Sequence, residues 1–89
     1  MRFTFDINKG QKLKRERKRD FEEVKELFFS PHYVDQKCDD PEQWRAIGWS
    51  MGQLYTVIYE DREDVDGDYR HLITLWKSTT GERKLYESF

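Results

Sequence analysis

The first pattern of polar and apolar residues along the chain is a short alternation followed by a helical stretch. Arg2 to Phe5 alternates as a strand does, with successive side chains on opposite sides. Asp6 then offers an N-cap for a helix over Ile7 to Arg17. Only Ile7 and Leu13 in that stretch are clearly apolar, so the helix is predicted to be mostly exposed to solvent.

The next stretch has the pattern of a better buried helix. Asp20 as N-cap and Glu23 three residues later form a variant of the capping box, and Pro31 marks the end of the segment. We therefore expect this helix to be the main helical contribution to the core. Its apolar residues fall at helical spacing: Phe21, Val24, Leu27 and Phe28.

Three strand-like runs follow a polar connection over Asp39 to Pro41. The first two runs are joined by Ser50 to Gly52, which is short enough for a hairpin, and the second pair by an acidic loop that contains Gly67. Pairing in sequence order predicts an antiparallel sheet. The runs are Gln43 to Trp49, Gln53 to Glu60 and Tyr69 to Lys77.

The end of the chain predicts one more helix. Thr79 and Glu82 repeat the capping-box pattern, and Leu85 and Phe89 are placed to fix a short C-terminal helix to the rest. The expected fold is therefore α+β: an N-terminal strand and two helices, a three- to four-stranded antiparallel sheet, and a C-terminal helix. We expect residues 1–89 to form a single domain.

Composition narrows the class of protein. Eighty-nine residues make one domain with a small core, which is often stabilised further by a partner. The single Cys38 excludes an internal disulfide bond. No apolar run approaches the length of a membrane span, and the first thirty residues are too charged for a signal peptide. These features predict a cytoplasmic protein without a membrane segment.

Charge is strongly segregated, although the formal net charge is only -2. Lys9 to Arg19 holds seven Lys or Arg and one Glu, whereas Glu60 to Asp68 holds six acids and only Arg62. A basic patch of this kind attracts phosphates or an acidic partner. The alternative interpretation is a solvated helix face without a ligand.

Five short stretches, spread in order over the whole chain, together resemble one protein family. They are similar to the family motifs F-x-W-D-x-x-K, F-E-E-A-x-x-V-F-x-D-P, E-R-W-x-x-I-G, G-R-L-L-x-V-V-Y, and I-I-S with a final E-R-x-x-Y. The corresponding stretches here are Phe3-Thr4-Phe5-Asp6 with Lys9, Phe21 to Pro31, Glu42 to Gly48, Gly52 to Tyr59, and Leu72-Ile73-Thr74 with Glu82-Arg83 and Tyr86. These motifs are those of the BrnT-type ribonuclease toxins.

This resemblance implies a RelE-like fold and a bacterial type II toxin that cleaves RNA, free or on the ribosome. It also implies a ribbon-helix-helix antitoxin as the partner that holds the toxin inactive. RelE-like ribonucleases need no metal or cofactor, because the 2'-hydroxyl of the RNA attacks the adjacent phosphate and fixed cations stabilise the developing charge.

The same resemblance, with its departures, implies the site residues. Glu16-Arg17-Lys18 stands where the family usually has Lys-His-Gly, and Trp76 stands where it usually has an Arg, with Lys77 beside it. The expected catalytic residues are Arg17, Lys77, Arg83 and Tyr86. The expected RNA-binding residues are Lys9, Lys12, Arg15, Lys18, Arg19 and Trp76.

The residues alone leave a few roles open and exclude others. His32 and His71 are candidates for moving a proton, but a structural role is the stronger interpretation for each. One Cys and two distant His residues do not make a zinc site, and no Gly-rich phosphate loop is present. The alternatives to a ribonuclease are a catalytically weak relative that binds RNA or the ribosome, and a non-enzymatic interaction domain.

Overall fold

A computed structural model describes all 89 residues as an α+β domain with one five-stranded mixed sheet and three α-helices. The strand order is β1-β5-β4-β3-β2; β1 runs parallel to β5, and the other neighbours are antiparallel. The elements are β1 (Arg2–Phe5), α1 (Ile7–Arg17), α2 (Phe21–Val24), a 3-10 turn (Lys25–Phe29), β2 (Tyr33–Asp39), β3 (Glu42–Ser50), β4 (Gln53–Asp64), β5 (Gly67–Lys77) and α3 (Thr80–Glu87).

The local signals for helix ends are confirmed. The side chain of Asp6 caps α1, and both predicted capping boxes are present, Asp20 with Glu23 before α2 and Thr79 with Glu82 before α3. The predicted second helix is one element in sequence but tightens after Val24 into the 3-10 turn. Such tightening is common where an α-helix ends.

The predicted sheet was wrong in strand number and in its wholly antiparallel pairing. Residues 33–39 form an additional strand, β2, at the edge of the sheet, where it pairs only with β3. The pairing carries a bulge between Gln36 and Cys38. The N-terminal β1 joins the opposite side of the sheet as a parallel neighbour of β5. Such a pair needs a long crossover connection, and here the rest of the domain supplies it.

The acidic run is mostly strand, not the predicted loop. β4 continues to Asp64 and β5 begins at Gly67, so only two residues form the turn between them. The connection between β3 and β4 is a two-residue turn over Met51 and Gly52, which both have positive φ. Two successive positive φ values suit the twist of a tight hairpin.

The sheet has helices on both faces. Val57 and Leu75 pack in one core with Leu13 of α1 and Phe21 of α2. Thr56 and Trp76, the neighbours of Val57 and Leu75 on those strands, contact α3 through Glu82. Because neighbouring side chains on a strand face opposite ways, α3 lies on the other face of the sheet from α1 and α2. None of the helices has the length and apolar character needed to cross a membrane.

Candidate nucleic-acid interface

Helix α1 is held to the domain by a narrow seam. Only Gly10 and Leu13 are buried, and Gly10 lies close enough to Phe21 that a Cβ atom would sit 3.5 Å from its ring. The helix ends at Lys18, which has a left-handed conformation (φ 63°) and donates its backbone N–H to the carbonyl of Lys14. The remaining sides of α1 therefore present their charged residues to solvent.

Most cations of the Lys9–Arg19 run have no acidic partner. Lys14 forms an ion pair with Glu23 at 2.6 Å, and the other six have no carboxylate within 4.0 Å. By contrast, all four arginines of the sheet strands are paired, with distances as long as 3.2 Å for Arg70 and Asp61. The positive charge of the run is therefore available to a ligand.

Three of the six acids of the run on β4 and β5 are neutralised by ion pairs within the domain. Asp64 pairs with Arg2 at 2.6 Å, Glu60 with Arg62 at 2.5 Å, and Asp61 with Arg70. Hydrogen bonds from Gln43 and Arg62 hold the pKa of Glu60 below its ordinary value. The two charged segments therefore differ: the acidic one is built into the sheet, and the basic one is not.

Three of the unpaired cations line a groove between α1 and β5. The pairing of β1 with β5 ends at Leu72, so the outer edge of β5 beyond it has no strand beside it. The groove lies between this edge of β5 and α1, and we call it the α1 groove. It is lined by Asp6, Asn8, Lys9, Lys12, Leu13, Glu16, Arg17 and Thr74.

The other predicted RNA-binding cations lie outside this groove. Arg15 lines a separate depression on the far side of α1, together with Lys14, Phe5 and Glu22. Lys18 and Arg19 lie in the connection to α2, where an Arg19 side-chain nitrogen donates to the carbonyl of Lys18 at 2.8 Å. The Nε of Arg19 is buried without a partner.

On the opposite face of the sheet, Glu82 is the centre of a buried hydrogen-bond network. It is 7% exposed and accepts hydrogen bonds from the Trp76 indole at 2.9 Å, the Thr56 hydroxyl at 3.0 Å and the backbone of Thr79 at 2.9 Å. Burial raises the pKa of Glu82, but these hydrogen bonds outweigh burial and hold the pKa below its ordinary value.

Arg45 connects this network to β2. Its guanidinium lies 3.8 Å from Glu82 and donates two hydrogen bonds to the carboxylate of Asp35, which also accepts one from the Tyr33 hydroxyl at 2.9 Å. The hydrogen bonds from Arg45 lower the pKa of Asp35, and the bond to Asp35 raises the pKa of Tyr33. The sequence carried no signal for this arrangement apart from the capping role of Glu82.

A small pocket adjoins the network in the middle of this face. We call it the central pocket; its volume is about 190 Å³. Strand register places Thr74, Ile58, Arg45 and Asp35 side by side across four strands, so the pocket lies in line with the end of the α1 groove. The central pocket is lined by Gln36, Lys37, Arg45, Ile58 and Trp76.

The four predicted catalytic residues fall in different places. Arg17 lines the α1 groove, and Lys77 is exposed at the end of β5. Arg83 lies over the Trp49 ring, 5.3 Å from its centroid, and Tyr86 packs edge-on against the same ring. No hydrogen bond or ion pair joins the first two residues to the last two.

Both histidines have protein partners. The Nδ1 of His71 lies 2.7 Å from the Thr4 hydroxyl, and that of His32 lies 2.7 Å from the carbonyl of Ser30. Burial lowers the pKa of His71, and the charge of Arg62 lowers it further. Neither histidine lines the α1 groove or the central pocket.

The chain matches no protein-family model, and a search of curated proteins finds no significant similarity. The resemblance to the BrnT-type toxins stays a prediction from the motifs.

Proposed function

We propose that this chain binds single-stranded RNA along α1 and cleaves it as a metal-independent ribonuclease toxin of the type II class. The observation that carries the proposal is the set of six unpaired cations at Lys9, Lys12, Arg15, Arg17, Lys18 and Arg19, in a domain whose remaining residues carry an excess of acids. Cations that displace counterions from a phosphate backbone supply most of the affinity of sequence-independent nucleic-acid binding.

The arrangement of the fold supports an RNA strand lying across the sheet edge. The α1 groove offers cations beside an unpaired stretch of β5, and strand, two helices, meander and final helix follow in the order that the resemblance to RelE-like toxins implies. In this proposal a ribbon-helix-helix antitoxin inhibits the toxin by covering α1, which blocks RNA and neutralises the positive charge.

The proposed reaction uses water as the proton acceptor and otherwise only groups of the RNA and of this chain. The 2'-oxygen attacks the adjacent phosphorus and its proton passes to water, and the bond from phosphorus to the 5'-oxygen breaks as that oxygen gains a proton. The products are a 2',3'-cyclic phosphate and a 5'-hydroxyl. Arg17, Lys77 and Arg83 are the proposed donors to the phosphorane-like transition state, and Tyr86 is the proposed proton donor.

A second candidate function is RNA binding without cleavage. One observation favours it: Arg17 lines the α1 groove, whereas Lys77, Arg83 and Tyr86 do not. Cleavage by these four residues therefore requires the RNA to reach from the groove to α3. The two functions differ in their products, since only cleavage yields cyclic-phosphate ends.

Reversal of charge in the α1 groove tests the binding step. The test variant, which we call the α1 variant, carries Lys9→Glu, Lys12→Glu and Arg17→Glu. Its slope of log Kd for a short RNA against log salt concentration should be smaller than that of the wild type by about 2, at roughly 0.7 for each single-strand phosphate that is no longer neutralised. The control reverses three acids of the hairpin that form no ion pair, Glu63, Asp66 and Asp68, to Lys.

The control separates local from overall charge. If the cations of the groove contact phosphates, the hairpin variant should keep the wild-type slope despite its large change in net charge. Equal slopes for the wild type and the α1 variant contradict the proposal. Incubation of the wild type with RNA and a chelator then decides between the two functions, because cleavage should continue and leave cyclic-phosphate ends.

A further inference from the structure

We infer that the central pocket binds one unpaired nucleobase, stacked on the indole of Trp76, while the α1 groove holds the phosphates of the same strand. This inference rests on the proposed function, because it names the part of the RNA that a second site recognises. It adds Gln36, Lys37 and Arg45 to the contact surface, and the motifs pointed to none of these as ligands.

The central pocket carries little net charge. Its cations, Lys37 and Arg45, are balanced by Asp35 and Glu82, which lie against Arg45. The lining of the α1 groove holds three cations and two acids, but the groove lies within a run that has seven cations and one acid. A site without net charge gives a phosphate little advantage over water, whereas an uncharged base loses little on entering it.

The lining of the central pocket combines an aromatic ring, Trp76, with an apolar side chain, Ile58. The single N–H of Trp76, at Nε1, donates a bifurcated hydrogen bond to both carboxylate oxygens of Glu82, at 2.9 and 3.2 Å, which restrains the indole before any ligand binds. Ile58 is only 1% exposed and forms an apolar floor. A preorganised aromatic ring over an apolar floor is what base stacking requires, and every base has a face that can stack.

The size and position of the central pocket suit one base of a strand that α1 holds. A volume of about 190 Å³ is smaller than the roughly 300–1,000 Å³ of sites for drug-sized ligands, which favours a single flat group. Thr74 of the α1 groove and Trp76 lie two residues apart on β5, about 7 Å along the strand. The two sites are therefore close enough for one RNA strand to occupy both.

Hydrogen-bonding side chains lie at the rim of the central pocket. The amide of Gln36 is exposed, with one N–H directed at the carbonyl of Cys38 at 3.3 Å, so its oxygen and second N–H remain for a base edge. Arg45 is held in place by Asp35 and Glu82. The base is therefore expected to stack on Trp76 and meet Gln36 at its polar edge.

The test compares two fluorescent strands of the same length and charge: a short single-stranded adenosine RNA and an abasic ribose-phosphate strand. Wild-type protein should bind the base-bearing strand more tightly by roughly 5- to 150-fold, the range expected for one stacked base. Trp76→Ala should bring this ratio close to one. Gln36→Ala, at an exposed position outside the Glu82 network, should also lower it, and its matched control Gln53→Ala should not.

The outcomes separate this inference from the proposed function. Equal binding of both strands by the wild type overturns the base site but leaves phosphate binding by α1. Absence of binding to either strand overturns both. A ratio that persists in both Trp76→Ala and Gln36→Ala shows that the base lies elsewhere. If Trp76→Ala does not fold by circular dichroism, Gln36→Ala and its control decide.

Discussion

The indole Nε1 of Trp76 donates a bifurcated hydrogen bond to both carboxylate oxygens of Glu82, at 2.9 and 3.2 Å. This pair ties the last strand to the last helix across a span of six residues. The same carboxylate caps α3 through Thr79 and accepts the hydroxyl of Thr56. One side chain thus serves the helix start, the sheet face and the orientation of the indole.

Glu82→Gln is expected to destabilise the domain by about 2–3 kcal/mol, because a single amide oxygen cannot accept from all the donors around a charged, buried acceptor. The midpoint of urea unfolding should fall, with little change in the dependence of the unfolding free energy on urea concentration. Glu87→Gln on the exposed side of the same helix is the matched control and should change the free energy of unfolding by less than about 0.5 kcal/mol. Equal stability of the two variants contradicts the assigned role of Glu82.

Two glycine substitutions should have opposite signs. A Cβ on Gly10 meets Phe21 at 3.5 Å, an ordinary contact, so Gly10→Ala should stabilise α1 by about 0.5–1 kcal/mol. A Cβ on Gly48 lies 3.1 Å from the Cβ of Leu27 and 3.2 Å from that of His32, so Gly48→Ala should cost about 1–3 kcal/mol. Thermal unfolding of both variants measures the difference. A stabilised Gly48→Ala variant would contradict the prediction, because it would show that Leu27 and His32 can move away from the added methyl group.

The stability of the fold should depend on pH through His71. Burial and the charge of Arg62 lower its folded pKa, although Glu60 and Asp6 act in the other direction. The folded state therefore binds a proton less readily than the unfolded chain, and stability decreases as pH falls below about 6.5 toward the folded pKa. His71→Gln should reduce this loss, as measured by urea midpoints, and His32→Gln should leave it in place. An unchanged profile in His71→Gln contradicts the prediction.

The proposed cleavage, in which fixed cations stabilise the transition state, predicts the effect of two substitutions on growth arrest. Losing one well-placed donor costs on the order of a hundredfold in rate, so Lys77→Ala and Arg83→Ala together should nearly abolish growth arrest at equal expression. Because Arg83 also lies over Trp49, folding is checked by thermal unfolding. Lys84→Ala, the exposed neighbour on α3, is the control. Full toxicity in the double variant would place the chemistry around Lys9 and Arg17.

Local signals in the sequence predicted the ends of elements well. Strand β1 and helix α1 have the predicted bounds, because Asp6 caps the helix directly after the alternating residues. Strand β2 was missed because its residues are mostly polar and its stability comes from pairing with β3 and from Arg45 on that strand. The acidic hairpin was missed for a similar reason, since cross-strand pairs such as Asp61 with Arg70 offset its charge.

The candidate site was predictable only where it lies within one segment. The cations of α1 lie within one short stretch of the chain, so charge patterning found them, and the structure leaves them exposed. Asp35, Arg45 and Glu82 come from three elements that are distant in sequence, and their association depends on strand register. The register depends on how the hydrophobic patterns of the strands match one another and on the turns between them. Neither can be read from one segment of the sequence alone.

The bulge in β2 limits what the outer edge of the sheet can do. Lys37 has no register partner there, which interrupts the regular spacing of backbone groups and puts a charged side chain at the outermost strand. A regular, flat and apolar edge invites a second copy to add its own strand, whereas an edge broken in this way resists such growth. The sheet is therefore expected to end within one chain instead of propagating into fibrils when the protein is concentrated.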